Sequence, residues 1–204
     1  MTGRGSAPRC GKAAQTPAGD ELGGERDGHR LHGRQHEQPV VHFSNPAAIP
    51  GPEDEVSMAP GTSRGDFELE VAAVVGRTGA DAHHDRAEGH VAGYVVLCDW
   101  SARDLQATET AVGLGPAKAK GTAASLGPWL VTPDELEPRR KGRGYNLRMT
   151  ASVNGPPYSG GTWADLSWPC AEMPSYASRG TRVRPTATSS AAGPSEPGAS
   201  SNRP

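Results

Sequence analysis

Hydrophobic and polar positions alternate along the stretch that begins at Gly65. Phe67, Leu69 and Val71 fall on one face of an extended segment, and Glu68 and Glu70 fall on the other, because successive strand side chains point to opposite faces. A second run, Val91 to Cys98, is continuously apolar and stops at Asp99, which predicts a buried strand with a carboxylate at its terminus. Leu147, Met149, Ala151 and Val153 alternate again and lead into Asn154-Gly155, a hairpin signal. Pro39–Phe43 reads as a short strand, and Pro128–Leu136 as a strand running into a helix start. There Thr132 is the expected N-cap, Pro133 the first helical residue and Glu135 the third member of a capping box. His83–His90 has helical polarity and predicts a short helix that closes at Gly89, with His83 and His84 solvated. WSARDLQ predicts one or two helical turns, in which Arg103 and Gln106, four and seven residues after Asp99, share a face with it. Residues 107–121 are rich in Gly, Pro and Ala and predict a loop.

Composition divides the chain in three. Of its 204 residues 34% are hydrophobic, with 27 Gly and 19 Pro, which is poor for one domain of that length. The deficit lies at the ends. Before Pro39 the only Val, Ile, Leu or Phe residues are Leu22 and Leu31, and after Pro185 there are none. The expected organisation is a disordered arm over residues 1–38, a folded domain over 39–185 and a disordered low-complexity tail over 186–204. His29, His32 and His36 are spaced for one helical face, as a zinc or copper site would need, but Gly28 and Gly33 weaken the helix and favour solvated histidines.

Charge narrows the partners. A formal net charge of −2 implies neither a nucleic-acid nor a membrane partner. No apolar run approaches the roughly 20 residues of a membrane span, and the first residues carry no secretory signal. The three cysteines, Cys10, Cys98 and Cys170, form no motif and fit a reducing cytoplasm, with Cys98 as a small core residue. The carboxylates carry more information. Two anions side by side on a strand are costly unless a cation neutralises them. A third at Asp99, with no Cys or His pair beside it, suits a hard cation such as Mg2+, Mn2+ or Ca2+. The competing reading of Glu68 and Glu70 alone is a solvated strand face.

The blocks DFELEVAAVVGR, GYVVLCDWSARDLQ and GPAKAKGTAASLGPWLVTPDEL resemble, in order and spacing, the fumarylacetoacetate hydrolase family. The resemblance runs from about Pro39 to Pro185. It implies an α+β fold, strand-rich and mixed β/α, like the family's C-terminal domain but incomplete, since PTATSSAAGPSEPGASSNRP stands where a Gly- and Thr-rich strand and further sheet are expected. It implies Glu68, Glu70 and Asp99 as metal ligands. Arg103, Gln106 and Lys120 are implied as the groups that contact substrate oxygens, with Ala119 and Gly121 departing from the family's pattern around the lysine. An aromatic residue is usual near His42, so the histidine there is either a surface substitution or a change in the pocket. The resemblance further implies a His–Glu pair on a lid in the region of residues 1–38, and no H-x-x-E occurs there at a matching distance. The activity implied is metal-dependent hydrolysis of a carbon–carbon bond in a β-diketo acid, as in aromatic amino acid catabolism, with a small keto acid as the partner and a homodimer as the assembly. Isomerisation and decarboxylation occur at the same site in related members. From a different class, a non-catalytic truncated or frameshifted copy would keep the carboxylates without turnover.

Overall fold

The computed structural model describes residues 39, 41–113, 115–142, 144–166, 168, 172–183 and 188–192. The first 38 residues, with the expected arm and its three histidines, lie outside the described residues. Among the described residues there are ten strands: β1 (Gly65–Val75), β2 (Gly79–Ala80), β3 (Val91–Ala102), β4 (Ala124–Leu126), β5 (Arg140–Lys141), β6 (Gly144–Tyr145), β7 (Arg148–Ser152), β8 (Pro157–Thr162), β9 (Arg182–Val183) and β10 (Thr188–Ala192). The described residues also form the short helices α1 (His84–Ala87), α2 (Arg103–Ala111), α3 (Pro133–Leu136) and α4 (Glu172–Ala177).

The centre is a sheet in the order β10-β1-β3-β4, with antiparallel neighbours. β1 and β3 pair along nearly their whole length, from Gly65↔Ala102 to Val75↔Val91, with one irregularity between Val74 and Val75. Because both strands alternate, this register sorts their side chains onto two faces. One face carries Val71, Ala73 and Tyr94, which pack with Leu136, Tyr145 and Trp163. There Trp163 stands edge-on to Tyr94 at 5.0 Å and tilted against Tyr145 at 4.7 Å, the arrangements that aromatic quadrupoles prefer. The other face carries Ala72, Val95 and Leu97 with Val74, Ala124 and Leu126 against them. It continues toward Gly65 into polar residues instead of more core.

Several expectations held and several are corrected. The hairpin of β7 and β8 forms as the alternation predicts, and its turn places Asn154 and Gly155 at φ of 55° and 104°, a left-handed region that Asn and Gly tolerate. Asp99 is not a strand terminus, since β3 runs three residues further to Ala102. It is therefore not on a helix with Arg103. The helix expected around WSARDLQ extends to Ala111, so residues 107–111 are not loop. Residues 128–130 form no strand. Val131 makes only an isolated bridge to Tyr94, and its carbonyl oxygen would stand 2.8 Å from a Cβ on Gly93, so this close approach needs a glycine. Helix α3 starts where expected, but the Thr132 side chain makes no cap bond.

The helix expected over Ala164–Arg179 is described only as a single turn at Trp163–Asp165 and as α4. Pro174, which would break a helix interior at a cost of about 3 kcal/mol, stands third in α4. N–H groups of the first turn have no intrahelical acceptor, so the missing donor costs nothing there. The largest correction falls within the expected tail 186–204, of which residues 186–187 and 193–204 lie outside the described residues. Thr188–Ala192 is no disordered tail but an edge strand, registered Glu70↔Ala192 to Val74↔Thr188 on β1. Its residues contribute the backbone ladder, and small side chains suffice for that.

Candidate metal centre

The polar end of the central sheet is built by alternation on two strands at once. Asp66, Glu68 and Glu70 occupy every second position of β1, and Asp99 and Ser101 do so on β3. The register sets Asp66 opposite Ser101 and Glu68 opposite Asp99. All five side chains therefore share one face. Glu68, Glu70 and Asp99 each offer a carboxylate oxygen, and these atoms lie within 4.8 Å of one another. Glu70 and Asp99 are buried at 4% and 6% exposure, and the Glu68 side chain is 31% exposed.

Two cations close over this group. Lys120, 3% exposed, places Nζ 2.8 Å from Glu68 Oε2 and 2.9 Å from Asp99 Oδ2, and donates to Ser101 Oγ at 2.7 Å. Arg103 begins α2 and donates through Nη1 to Glu68 Oε1 at 2.6 Å and through Nε to Asp66 Oδ2 at 2.7 Å. Gln106, one turn on, accepts from Arg103 Nη1 at 3.0 Å through its carbonyl oxygen. Its amide NH2 is left as the end able to donate elsewhere. Tyr158 on β8 reaches Asp66 Oδ1 at 3.4 Å.

These contacts set the protonation of the carboxylates. Burial pushes Glu68 upward, but the charges of Lys120 and Arg103 outweigh it and hold the carboxyl below its ordinary value. Asp99 is held above its ordinary value by burial, with Glu68 adding to it and Lys120 and His42 pulling the other way. The difference follows from partners. Glu68 has two cations at hydrogen-bond distance, and Asp99 has one.

The donor set fits a hard divalent cation. It consists of oxygens from three carboxylates on rigid strands, with no thiolate or imidazole among them. In this structure the Lys120 ammonium supplies the positive charge between two of the three. The metal-site expectation thus falls on residues that the fold brings together, and so do Arg103, Gln106 and Lys120. Asp66, Ser101 and Tyr158 are additions. Asp66 was legible, since D-x-E-x-E continues the same alternation, whereas Ser101 and Tyr158 enter only through strand register and the β7–β8 hairpin. A second group, His83, His84 and Asp85, is exposed as expected for the histidines.

The chain matches the model of the fumarylacetoacetate (FAA) hydrolase C-terminal family over residues 18–187. It belongs to that family. The match starts earlier than the Pro39 boundary drawn from composition. The chain is 34% identical over 143 residues to a 2,4-didehydro-3-deoxy-L-rhamnonate hydrolase of a Sphingomonas species, covering 69% of this chain and 47% of that protein. It is 45% identical over 101 residues to a fumarylacetoacetase of Aspergillus fumigatus, covering 48% of this chain and 22% of that one. Among solved structures, a fumarylpyruvate hydrolase from Pseudomonas aeruginosa in complex with Mn2+ and pyruvate superposes with a TM-score of 0.62 at 28% identity, over 76% of this chain and 66% of that one. The chain spans about half or less of the length of these two curated relatives. No helix among the described residues is long and apolar enough to cross a membrane.

Proposed function

We propose that this chain is a divalent-metal-dependent hydrolase that cleaves a carbon–carbon bond in a β-diketo acid of the acylpyruvate or fumarylacetoacetate type, in the cytoplasm. The observation that carries the reading is the cross-strand register Glu68↔Asp99, which gathers three carboxylates into one cation-sized group. Glu68, Glu70 and Asp99 would hold Mg2+ or Mn2+. The Mn2+ and pyruvate of the related solved structure support both the ion and the keto-acid class. When bound, such an ion supplies Lewis acidity toward the substrate's paired oxygens.

The protein's own groups carry the rest. Lys120, Arg103 and the amide of Gln106 are preorganised donors on one side of the carboxylates, and they favour the negative charge that develops as the bond breaks. In the hydrolysis, water oxygen joins the acyl carbon, the electrons of the broken bond pass to the departing enolate, and the enolate takes up a proton. Removing the proton from water requires a base. His42, the histidine that the sequence leaves open between a surface position and the pocket, is the first residue to test for that role.

The test is calorimetric titration with Mn2+ beside an Mg2+-dependent assay on acetylpyruvate and fumarylpyruvate. Wild type is expected to bind one Mn2+ and to lose it in Glu68→Ala/Glu70→Ala. Equal binding by both proteins would overturn the site assignment. A second reading is a metal-binding domain without turnover. It is favoured by one observation of the sequence: no H-x-x-E occurs at a matching distance in residues 1–38, where the family resemblance places the His–Glu pair that orients a catalytic imidazole. Metal binding with no release of pyruvate would select it.

A further inference from the structure

Helix α2 presents Arg103, Gln106 and Glu109 at spacings of three, along one stripe of its surface. Arg103 is accounted for by Glu68 and Asp66, and Gln106 by the bond it accepts from Arg103. Glu109 is not, and its place is unfavourable on local grounds. It lies in the last turns of the helix, where a carboxylate opposes the macrodipole and no basic residue offsets it.

Its compensation comes from the loop that carries Lys120. Oε2 of Glu109 accepts from the N–H of Ala117 at 2.8 Å and of Ala119 at 3.2 Å, and Oε1 accepts from the N–H of Lys118 at 2.7 Å. Three successive backbone N–H groups thus converge on one carboxylate, an anion-binding concavity. They hold the carboxyl below its ordinary value, the bond from Ala117 foremost. The loop's carbonyls are tied elsewhere. Ala119 O accepts from Ala102 N at 3.0 Å, Gly121 N closes on Ala117 O at 2.8 Å, and Lys120 O accepts from Ser44 Oγ at 3.1 Å. Glu109 is the side chain on α2 that fastens the amide side of this turn. One residue beyond its last bond, Lys120 projects into the carboxylates.

We propose that Glu109 is a positioning residue that fixes the Lys120 ammonium against Glu68 and Asp99 by gripping the 117–119 backbone, so that one helix sets both cations of the site. The placement itself stands on geometry. Its consequence for metal affinity rests on the carboxylate group being a metal centre, so two measurements are needed.

The first involves no metal. Lysine acylation by acetic anhydride, followed residue by residue by mass spectrometry, should find buried Lys120 slow and exposed Lys118 and Lys141 fast. Glu109→Ala should speed Lys120 by about tenfold, the factor that loss of one net hydrogen-bond contribution predicts, and leave Lys141 unchanged. Glu109→Gln, which keeps one acceptor oxygen, should fall between. An unchanged Lys120 rate, or a rise shared by Lys141, would overturn the proposal.

The second is a double-mutant cycle on Mn2+ affinity. A released ammonium competes less for Glu68 and Asp99, so Glu109→Ala should tighten Mn2+ binding several-fold in the wild-type background and have no effect beside Lys120→Met. The same change in both backgrounds would mean that Glu109 does not act through Lys120. If no variant binds Mn2+, the metal reading fails while the labelling result still decides the role of Glu109.

Discussion

Replacing Lys120 by methionine removes the one buried ammonium of the site and keeps most of the side-chain volume. Its Nζ holds Glu68 at 2.8 Å and Asp99 at 2.9 Å, with Ser101 as a third partner at 2.7 Å. Asp99, already held above its ordinary value by burial, would keep its desolvation cost and lose its compensating charge. Breaking a buried pair in this way costs about 3–5 kcal/mol, because the remaining charge stays buried. In a chain of this size about 1 kcal/mol lowers Tm by roughly 2–4 °C, so the loss should be of the order of 10 °C. A divalent cation bound by the same carboxylates replaces the lost charge and returns about 2.7 kcal/mol at a concentration near 100 times Kd. Thermal unfolding followed by circular dichroism, in EDTA and then in Mn2+, reads both effects. If Lys120→Met unfolds at the wild-type temperature in EDTA, the ammonium is not what neutralises the carboxylates. If Mn2+ leaves the variant unchanged, the carboxylates are not ligands.

Three further outcomes are expected. Burial works against ionisation of Asp104, but bonds from Thr62, Ser63 and the Leu105 N–H bring its carboxyl down to about 2 from 3.8. A depressed carboxylate contributes stability that is full above pH 3.8 and is lost as the pH falls through about 2. Solvent screening limits it to about 1 kcal/mol, so Asp104→Asn should be that much less stable at pH 6 by urea unfolding, and a penalty that persists at pH 2 would contradict the assignment. Trp163→Ala removes the centre of the Tyr94–Tyr145–Trp163 cluster and should cost about 3–5 kcal/mol in the same measurement; a loss under 1 kcal/mol would mean the cluster does not hold β6 to the sheet. Truncation after Pro185 removes β10 and bares one edge of β1, so light scattering should show association that the full chain lacks. A monodisperse truncated chain would show that β10 does not protect that edge.

Much of the site was legible because it is written in period two. Glu68 and Glu70 share a face by strand geometry alone, and the apolar run before Asp99 identifies a buried neighbour. Lys120 was reached through resemblance only, since a lysine in a Gly/Pro/Ala loop carries no sign of burial. Glu109 was missed because residues 107–121 have loop composition, yet bonds between backbone and side chains stabilise this region: Thr108 and Thr110 back-bond to Asp104 and Gln106, and Glu109 accepts from the N–H groups of Ala117, Lys118 and Ala119. With the helix carried to Ala111, Glu109 falls into line with Arg103 and Gln106. The strand Thr188–Ala192, within the expected tail, was missed for a related reason. Low apolar content argues against a core, but an edge strand needs only backbone donors and acceptors, which every non-proline residue has.

By itself the sequence determined which residues are able to share a face. Local periodicity is enforced by the backbone of each strand or helix separately, and this places Asp66, Glu68 and Glu70 together on one element and Arg103, Gln106 and Glu109 on another. Only the tertiary structure decided which faces meet. A shift of one residue between β1 and β3 would leave every local pattern intact and send Asp99 to the face opposite Glu68. The register Glu68↔Asp99 is chosen by packing remote from the carboxylates, where Val71 and Ala73 must sit with Tyr94 against Trp163 while Ala72 sits with Val95 and Leu97 on the reverse side. Burying both apolar sets on their own faces excludes the one-residue slip, and the polar end of the sheet inherits the alignment.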